Sequence, residues 1–321
     1  MKVFAAVDVG GTYIKAMIAG VNLEPIVHVR IETERRFGIE HVLHRIVVAI
    51  ETMLARAGLA RAELEGIGIG FPGFIDAESK TGIRSWRFGY ENRKLTESIE
   101  RHFRVPVFLD NDAHVHALGE TRFGSAKHCA NVVCLILGTG LGTGIVANGQ
   151  LLRGKSNLAA EVAHLTIAAD GGLPCACGRT GCAQQYVSGE AMLAFAKTLL
   201  AKRPDSALWD MIRGDLDRLS VEMLDEASNL GDAVSLAVID RIVHYAAVVV
   251  SSLCILFNPE LVVIGGGISN LGNKLLVPLA ERVNRSLMDP SQRCPIVKSV
   301  LGQDAGVYGA LYLAAEGTGH C

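Results

Sequence analysis

Residues 161–188, EVAHLTIAADGGLPCACGRTGCAQQYVS, contain four side chains of the kinds that zinc prefers. They are His164, Cys175, Cys177 and Cys182. Three thiols and one imidazole complete the tetrahedral shell of a structural Zn²⁺ site. The C-x-C-x4-C spacing is not a common finger spacing, but Gly178 and Gly181 allow a turn tight enough to direct the thiols to one point. Reduced cysteines without metal are the alternative. A disulfide is disfavoured because nothing marks the chain as exported.

The composition is that of an ordinary globular protein, since 50% of the 321 residues are hydrophobic and 20% are charged. The length allows two domains, or one large domain, with a substantial core. A net charge of −2 gives no electrostatic reason to expect nucleic acid or a membrane as partner. Residues 1–10 lack the features of a signal peptide, and we expect a cytoplasmic protein. The longest apolar stretch, residues 245–257, is short for a membrane span and predicts a buried helix.

Near the start of the chain, residues 3–7 and 14–18 are β-rich apolar runs separated by the sequence D-V-G-G-T. This pattern predicts a β-hairpin whose bare backbone amides can approach a phosphate closely. Asp8 offers a carboxylate for Mg²⁺-bound water, and Thr12 offers a hydroxyl for a phosphate oxygen. A plain hairpin turn is the alternative, and a Walker A loop is excluded because no Gly-Lys-Ser/Thr follows.

The same strand–glycine–strand arrangement recurs later in the chain. Residues 131–137 form an apolar strand that leads into GTGLGTG at 138–144, after which residues 145–147 resume a strand. The pattern predicts a second hairpin loop, with flexible low-complexity sequence as the alternative. Two such units suit a nucleotide held between the halves of a duplicated fold. A third strand, residues 261–264, opens on three glycines at 265–267, which suits close approach to adenine and ribose.

Residues 105–109 form a short strand that delivers Asp110-Asn111-Asp112 at its carboxyl end. Polar groups at a strand end are held rigidly, which suits catalysis. An Asx-rich turn that caps the next helix is the alternative. Residues 68–73 match the dinucleotide fingerprint G-x-G-x-x-G, but Pro72 and the loop-like sequence after it provide no helix for a pyrophosphate.

The remaining segments are mostly helical in pattern. Apolar residues at helical spacing predict an amphipathic helix over residues 40–57. Further predicted helices cover residues 188–202 with Ser188 as cap, short segments of 205–231, and residues 232–257, 275–288 and 304–316.

The motifs E-x-x-H (161–164), C-x-C-G-x-x-G-C (175–182) and Ser188-Gly189 resemble the signature of the ROK family of sugar kinases and sugar-responsive repressors. The D-x-G-G-T turn resembles the first phosphate loop of the actin and hexokinase-like ATPases, to which the ROK proteins belong. The resemblance implies an α/β, ribonuclease H-like fold of two domains with an interdomain cleft and a structural zinc site. We expect a small domain of residues 1–118 plus 303–321 and a large domain of residues 119–302.

The resemblance also implies ATP-dependent phosphorylation of a hexose or N-acetylhexosamine, at the 6-hydroxyl. Asp112 would be the general base, Asn111 would bind a sugar hydroxyl, and Glu161 and His164 would bind hydroxyls on the anomeric side. The residues expected to bind ATP and Mg²⁺ are Asp8, Gly10, Gly11, Thr12, Gly138, Thr139, Gly140, Gly142, Gly265, Gly266 and Gly267. Those expected at the sugar are Gly73, Asn111, Asp112, Glu161, His164 and Gln184. We expect a homodimer or higher homo-oligomer.

Two departures from the family pattern bear on the substrate. Gln184 stands where the family usually has a glutamate, and Trp86 stands where a sugar-binding asparagine is common. We therefore expect that glucose is not the best substrate. One alternative is a sugar-sensing regulator, but the family's repressors carry a helix-turn-helix ahead of the motif that begins here at residue 8. Another is a non-catalytic sugar-binding protein, against which Asp112 and the glycine turns argue. Cys129, Cys294 and Cys321 have no assigned role.

Overall fold

The computed structural model describes residues 1–320. The strands in these residues are β1 (Val3–Val9), β2 (Tyr13–Gly20), β3 (Pro25–Glu32), β4 (Leu64–Phe71), β5 (Phe74–Asp76), β6 (Thr81–Ser85), β7 (Tyr90–Lys94), β8 (Val107–Asn111), β9 (Val132–Leu137), β10 (Leu141–Ala147), β11 (Gln150–Leu151), β12 (Leu261–Gly265) and β13 (Ile296–Lys298). The helices are α1 (Ile39–Ala57), α2 (Glu97–Phe103), α3 (Asp112–Arg122), α4 (Gln184–Val187), α5 (Gly189–Leu200), α6 (Leu208–Ile212), α7 (Val221–Asn229), α8 (Ala233–Phe257), α9 (Asn273–Ser286) and α10 (Ala305–Gly317).

The first five-stranded sheet has the order β3-β2-β1-β4-β8. Strand β1 pairs antiparallel with β2 and parallel with β4, and β4 pairs parallel with β8. Alternate residues of β1 face opposite sides of the sheet. One side, with Val3, Ala5 and Val7, packs in a core with residues of α1 such as Ile46, while the other side packs against α10. The parallel strands therefore end at one edge, where β1 and β8 deliver their carboxyl-terminal residues.

Helices α3 and α10 cross at very short distance in the layer beside this sheet. A Cβ atom built on Gly309 of α10 would lie 1.6 Å from the backbone oxygen of Val115 on α3. A Cβ on Gly119 of α3 would lie 2.0 Å from the backbone oxygen of Ala305. Glycine at both positions allows the two backbones to touch, which holds α3, and therefore its first residue, against the sheet.

A three-stranded sheet of order β5-β6-β7 follows Gly73. The sequence there predicts a loop, and that prediction is wrong. The strands are short and largely polar, so the periodic apolar signal of a strand is weak. Their stability comes from tertiary packing, because the rings of Phe88 and Tyr90 lie against Phe71 at the end of β4.

The second five-stranded sheet has the order β11-β10-β9-β12-β13. Strand β12 is buried along its whole length and pairs parallel with β13. The sequence predicts a helix over residues 232–257, and helix α8 begins after Asp232, whose carboxylate caps it by accepting the N–H of Ser235. By length and composition alone α8 could cross a membrane, but thirteen of its 25 residues are buried in the fold, in agreement with the predicted core helix. Short helices occupy 205–231, also as predicted.

The chain forms two compact units, Met1–Cys134 with Gly144–Ala160 and Ser299–Cys321, and Leu135–Thr143 with Glu161–Lys298. Two mixed or parallel sheets with helices packed on them confirm the predicted α/β class. The predicted domain boundaries and the ribonuclease H-like arrangement remain predictions.

Candidate active site

The predicted zinc ligands lie together. The ligand atoms of His164, Cys175, Cys177 and Cys182 all lie within 4.8 Å of one another. Cys175 Sγ is 3.7 Å from His164 Nδ1, and Cys177 Sγ is 3.6 Å from Cys182 Sγ. A tetrahedral zinc ion with bonds of about 2.3 Å to sulfur requires sulfur atoms about 3.8 Å apart. The distance between Cys177 Sγ and Cys182 Sγ matches this spacing, and the four donors could hold a zinc ion, with Nδ1 the nitrogen of His164 that faces Cys175.

The backbone around these ligands turns as the glycines predict. Gly178 and Gly181 have φ values of 85° and 74°, in the left-handed region. Gly178 donates its N–H to the oxygen of Cys175, which closes the turn that carries the first two thiols. A Cβ atom on Gly181 would lie 2.0 Å from the oxygen of Ala168, so only glycine fits beside Cys182.

Gln184, expected at the sugar, lies against the predicted metal ligands. Its Nε2 donates to Cys175 Sγ at 3.2 Å. A Cβ atom built on Gly140 would be 3.9 Å from the Gln184 Oε1, so the amide also faces the second glycine turn. A glutamate at this position has no N–H with which to make the first of these contacts. The residue that departs from the family pattern therefore interacts directly with a thiol of the cluster.

The first glycine turn joins β1 to β2. The N–H of Gly10 donates to the oxygen of Tyr13, and a Cβ on Gly10 would lie 2.8 Å from that oxygen. The buried Thr33, just after β3, donates its hydroxyl to the oxygen of Gly10 and its N–H to the oxygen of Thr12. The turn's shape is therefore set by a residue outside the motif, which no sequence signal indicates. The Thr12 side chain is exposed.

Asp8 lies at the end of β1, with its carboxylate against Gly306 at the start of α10. Burial raises the pKa of Asp8 to about 7. Lys15 acts against this rise, whereas the carboxylates of Asp112 and Asp304 add to it. Three carboxylates whose charges act on one another in this way provide the negative potential that a bound cation would relieve.

Asn111 and Asp112 occupy the junction of β8 and α3. Asn111 Oδ1 accepts the N–H groups of Ala113 and His114 at 2.8 and 3.3 Å, so the residue caps α3. Its Nδ2 donates to the oxygen of Gly73 at 2.9 Å, which brings two of the predicted sugar residues together. The capping alternative is thus realised for Asn111, and one amide hydrogen is left over for a ligand.

Asp112 is partly buried at the first residue of α3. Burial raises the pKa of Asp112. The hydrogen bond from the N–H of Ala113 opposes that rise, as do the electrostatic interactions of Asp112 with His114 and Arg87. A carboxylate with a raised pKa binds a proton more tightly, which is the property required of a general base.

Asp110, the first residue of the D-N-D triplet, is fully buried. Arg153 donates two hydrogen bonds to Asp110 Oδ2, from Nε at 2.9 Å and Nη2 at 2.8 Å. The other oxygen accepts the N–H of Asn111 and contacts His114 Nδ1, each at 2.8 Å. His114 is four residues after Asp110, a spacing visible in the sequence, whereas Arg153 lies 43 residues away and has no sequence signal.

The second glycine turn is shorter than predicted. Strand β10 begins at Leu141, so the turn spans 138–140 and Gly142 lies within the strand. Gly144 is also in β10, where a Cβ would lie 2.7 Å from the oxygen of Ala113. Gly142 and Gly144 are thus strand residues. Glycine is found both in turns and where two backbones pack closely, and the sequence pattern does not distinguish these two uses.

The N-terminus of α5 holds this turn. The N–H groups of Gly189 and Glu190 donate to the oxygens of Gly138 and Thr139. The predicted cap is confirmed, since Ser188 Oγ accepts the N–H of Ala191 at 3.1 Å. Among the three glycines after β12, Gly266 lies beside Leu137, the residue that precedes this turn.

Gly266 has φ 81°, and a Cβ on it would lie 2.3 Å from the oxygen of Leu137 at the end of β9. Two of the predicted nucleotide segments therefore lie side by side at the ends of neighbouring strands.

Trp86 lies in the turn between β6 and β7, and 49% of its surface is exposed. Its ring meets Phe74 edge to face at 5.5 Å. Gly73, with φ 124°, leaves no space for a side chain, because a Cβ would lie 2.4 Å from the Tyr90 hydroxyl.

Glu161 precedes the short 3₁₀ turn Val162–His164, whose last residue is the histidine of the His/Cys₃ cluster. The roles expected of these residues remain predictions.

The fold and site define a class of protein: an α/β protein with twin strand–glycine–strand turns, a capped D-N-D triplet and a His/Cys₃ cluster. Known proteins are similar to this chain along nearly its whole length. A glucokinase from Halalkalibacterium halodurans is 32% identical over 317 residues, which is 98% of this chain and 95% of the relative. A xylose repressor from Caldicellulosiruptor bescii is 30% identical over 312 residues, 95% of this chain and 76% of the repressor.

A solved structure is similar over the same range. The ROK family glucokinase from Streptomyces griseus, solved with glucose and AMPPNP, has a TM-score of 0.87 and 30% identity, over 98% of this chain and 99% of that one. The model of the ROK family matches residues 4–317. The chain belongs to the ROK family, as its motifs indicate.

Proposed function

We propose that this protein is an ATP-dependent sugar kinase that phosphorylates a hexose or an N-acetylhexosamine at the 6-hydroxyl. The observation that carries the proposal is Asp112, a carboxylate at the start of α3 whose pKa is raised by burial. It lies beside a helix-capping asparagine in a chain that is similar to a glucokinase along 98% of its length. The proposal is also supported by a second glycine turn held by the N-terminus of α5.

Phosphoryl transfer requires positioning and charge neutralisation more than covalent chemistry by the protein. Asp112 accepts the proton of the attacking hydroxyl, and the remaining amide hydrogen of Asn111 orients a neighbouring hydroxyl. The glycine turns at 10–11 and 138–140 bind the phosphates of ATP, and the glycines at 265–267 lie along the adenosine. Asp8 would hold Mg²⁺ through a bound water molecule, and the ion would supply neutralisation of the phosphate charge.

Glu161 and His164 bind hydroxyls on the anomeric side of the sugar. His164, Cys175, Cys177 and Cys182 would hold a structural zinc ion, which fixes the imidazole through Nδ1. The fit of the four donors to a tetrahedral ion supports this assignment. Nε2 is then the nitrogen that contacts the hydroxyl, and its orientation depends on the metal.

The domain organisation belongs to the same proposal: a ribonuclease H-like fold with domains 1–118 plus 303–321 and 119–302. We also propose a cytoplasmic homodimer or higher homo-oligomer whose partners are the sugar and ATP, without nucleic acid or a membrane. A sugar-responsive regulator is the second candidate, because the chain is 30% identical to a xylose repressor. A regulator would bind sugar without consuming ATP.

The test is ADP release by the purified protein with Mg-ATP and a panel of hexoses and N-acetylhexosamines. A kinase releases ADP in proportion to sugar-6-phosphate, identified by mass spectrometry. Metal analysis of the same preparation should give about one zinc per chain. Sugar binding by calorimetry without ADP release would contradict the kinase and favour the regulator. A ranking led by glucose would contradict the expectation drawn from Gln184 and Trp86.

A further inference from the structure

The carboxylate of Asp110 is buried in the same turn as the proposed base, but it cannot reach a substrate because it has no exposed surface. Each of its oxygens is engaged by two donors. A buried ion is stable only when a partner charge and hydrogen bonds replace water, and here all are supplied. Burial acts to raise the pKa of Asp110, but the hydrogen bond from His114 and the charge of Arg153 outweigh it, and the pKa is lowered.

The contacts of Asp110 connect three separate segments at one point. The Asn111 N–H belongs to the last residue of β8, and His114 belongs to the first turn of α3. Arg153 belongs to the segment after β11, which closes on itself because the N–H of Ala159 donates to the Arg153 oxygen. The same segment is tied to the β5 end by Asn157, whose Nδ2 donates to Asp76 Oδ1 at 3.0 Å.

The geometry points to Arg153 and His114 as positioning residues that act through Asp110 to fix the direction of the Asn111 and Asp112 side chains. This inference rests on the proposed function, because it assigns a role in presenting the base. Two N–H groups of the planar Arg153 guanidinium converge on Oδ2, while Oδ1 accepts the Asn111 N–H and contacts His114 Nδ1. Separate partners on the two oxygens therefore fix the plane of the Asp110 carboxylate, and a flexible ammonium in place of the guanidinium would fix it less well. That plane in turn fixes the Asn111 N–H and the first turn of α3, on which Asp112 stands.

A misplacement of a catalytic group by about 1 Å can cost on the order of 10²-fold in rate. In Arg153→Met the Asp110 carboxylate loses its cation, so we expect kcat to fall about 30- to 100-fold while the KM for ATP changes less than about twofold. Arg153→Lys keeps the charge but supplies only one contact, so its kcat should lie between that of the native protein and that of Arg153→Met.

The pH profile distinguishes positioning from a general loss of stability. Without the charge of Arg153, the pKa of Asp110 rises. The carboxylate, which His114 still faces, then takes up a proton at a higher pH than in the native protein. The acid limb of the kcat profile should therefore move to higher pH in Arg153→Met. In Lys80→Met, kcat and the profile should stay as in the native protein.

Lys80→Met is a matched control because it also breaks an ion pair of the same unit. Lys80 Nζ lies 2.7 Å from Glu100 Oε1, and the Lys80 and Arg153 side chains are 35% and 33% exposed. Neither Lys80 nor Glu100 contacts the D-N-D triplet through any bond described in residues 1–320.

A second pair of variants keeps the test valid should Arg153→Met fail to fold. His114→Asn places an amide N–H near the position of Nδ1 and should retain most of kcat, whereas His114→Leu removes the donor and should lose about tenfold or more. Folded Arg153→Met or His114→Leu proteins with native kcat and native pH profiles would overturn the inference. Native protein that phosphorylates no sugar would instead overturn the proposed function, and this inference with it.

Discussion

Asp112 combines two properties at the scale of a single residue, since burial raises its pKa while the N–H of Ala113 keeps its orientation. Asp112→Asn keeps the shape but cannot accept a proton, so we expect kcat to fall about 10²- to 10⁴-fold. The dissociation constant for ATP, measured by calorimetry, should change little. A variant with near-native turnover would show that another group is the base.

Gln184 also has a predicted effect as a single residue, because its amide donates to the thiol of Cys175. Gln184→Glu replaces that donor with a carboxylate, so we expect zinc to be retained about 10- to 100-fold less tightly. The measurement is competition with a chromophoric chelator, with the exposed Gln150→Glu as control. We also expect the ranking of hexoses by kcat/KM to change more than the KM for ATP. Unchanged zinc affinity would show that the hydrogen bond does not support the cluster.

At the scale of elements, the crossing of α3 and α10 holds the helix on which Asp112 stands. In Gly309→Ala the new methyl group would lie 1.6 Å from the Val115 oxygen, so the helices must move apart. We expect a loss of about 1–3 kcal/mol or more in the free energy of unfolding, measured in urea. Gly267→Ala is the control, since a Cβ there meets nothing within 4 Å. Equal stability of the two variants would contradict the close crossing.

At the scale of the whole molecule, the raised pKa of Asp8 predicts how stability depends on pH. The native state holds this proton up to about pH 7, whereas the unfolded chain releases it near pH 4. The native state therefore gains stability as the pH falls from 7 to 4, and loses it as the pH rises. Asp8→Asn removes the charge, so we expect it to be more stable than native at pH 8, on the order of 3 kcal/mol, without metal or nucleotide.

That advantage should disappear by pH 4, as measured by thermal unfolding across the range. Asp76→Asn should have the opposite sign, because the hydrogen bond from Ser79 lowers the pKa of Asp76. It should destabilise the protein at pH 8, and the difference should shrink as the pH falls below the usual carboxyl range, where the native state also takes up the proton. If Asp8→Asn were less stable than native at pH 8, the carboxylate of Asp8 would be charged and satisfied in the fold.

Several features of this protein follow from local sequence alone. Cys175, Cys177 and Cys182 lie within eight residues, and glycines with positive φ turn the backbone between them, so the clustering of the three thiols is predictable. The glycine turn after β1 and the caps Ser188 and Asp232 are equally local. Each depends on backbone conformations and contacts over a few residues, which residue type determines directly.

Other features were decided only by tertiary structure, because they depend on contacts between distant residues. The polar strands β5–β7 form because Phe88 and Tyr90 pack on Phe71, and no apolar period announces them. Gly144 resembles a turn residue in the sequence, but its place in β10 is set by the backbone of α3. Arg153 meets Asp110 across 43 residues, and burial of that carboxylate is what makes the pairing necessary. Local sequence thus determined the turns, caps and cluster, whereas packing decided the strand limits and the partners of the buried charge.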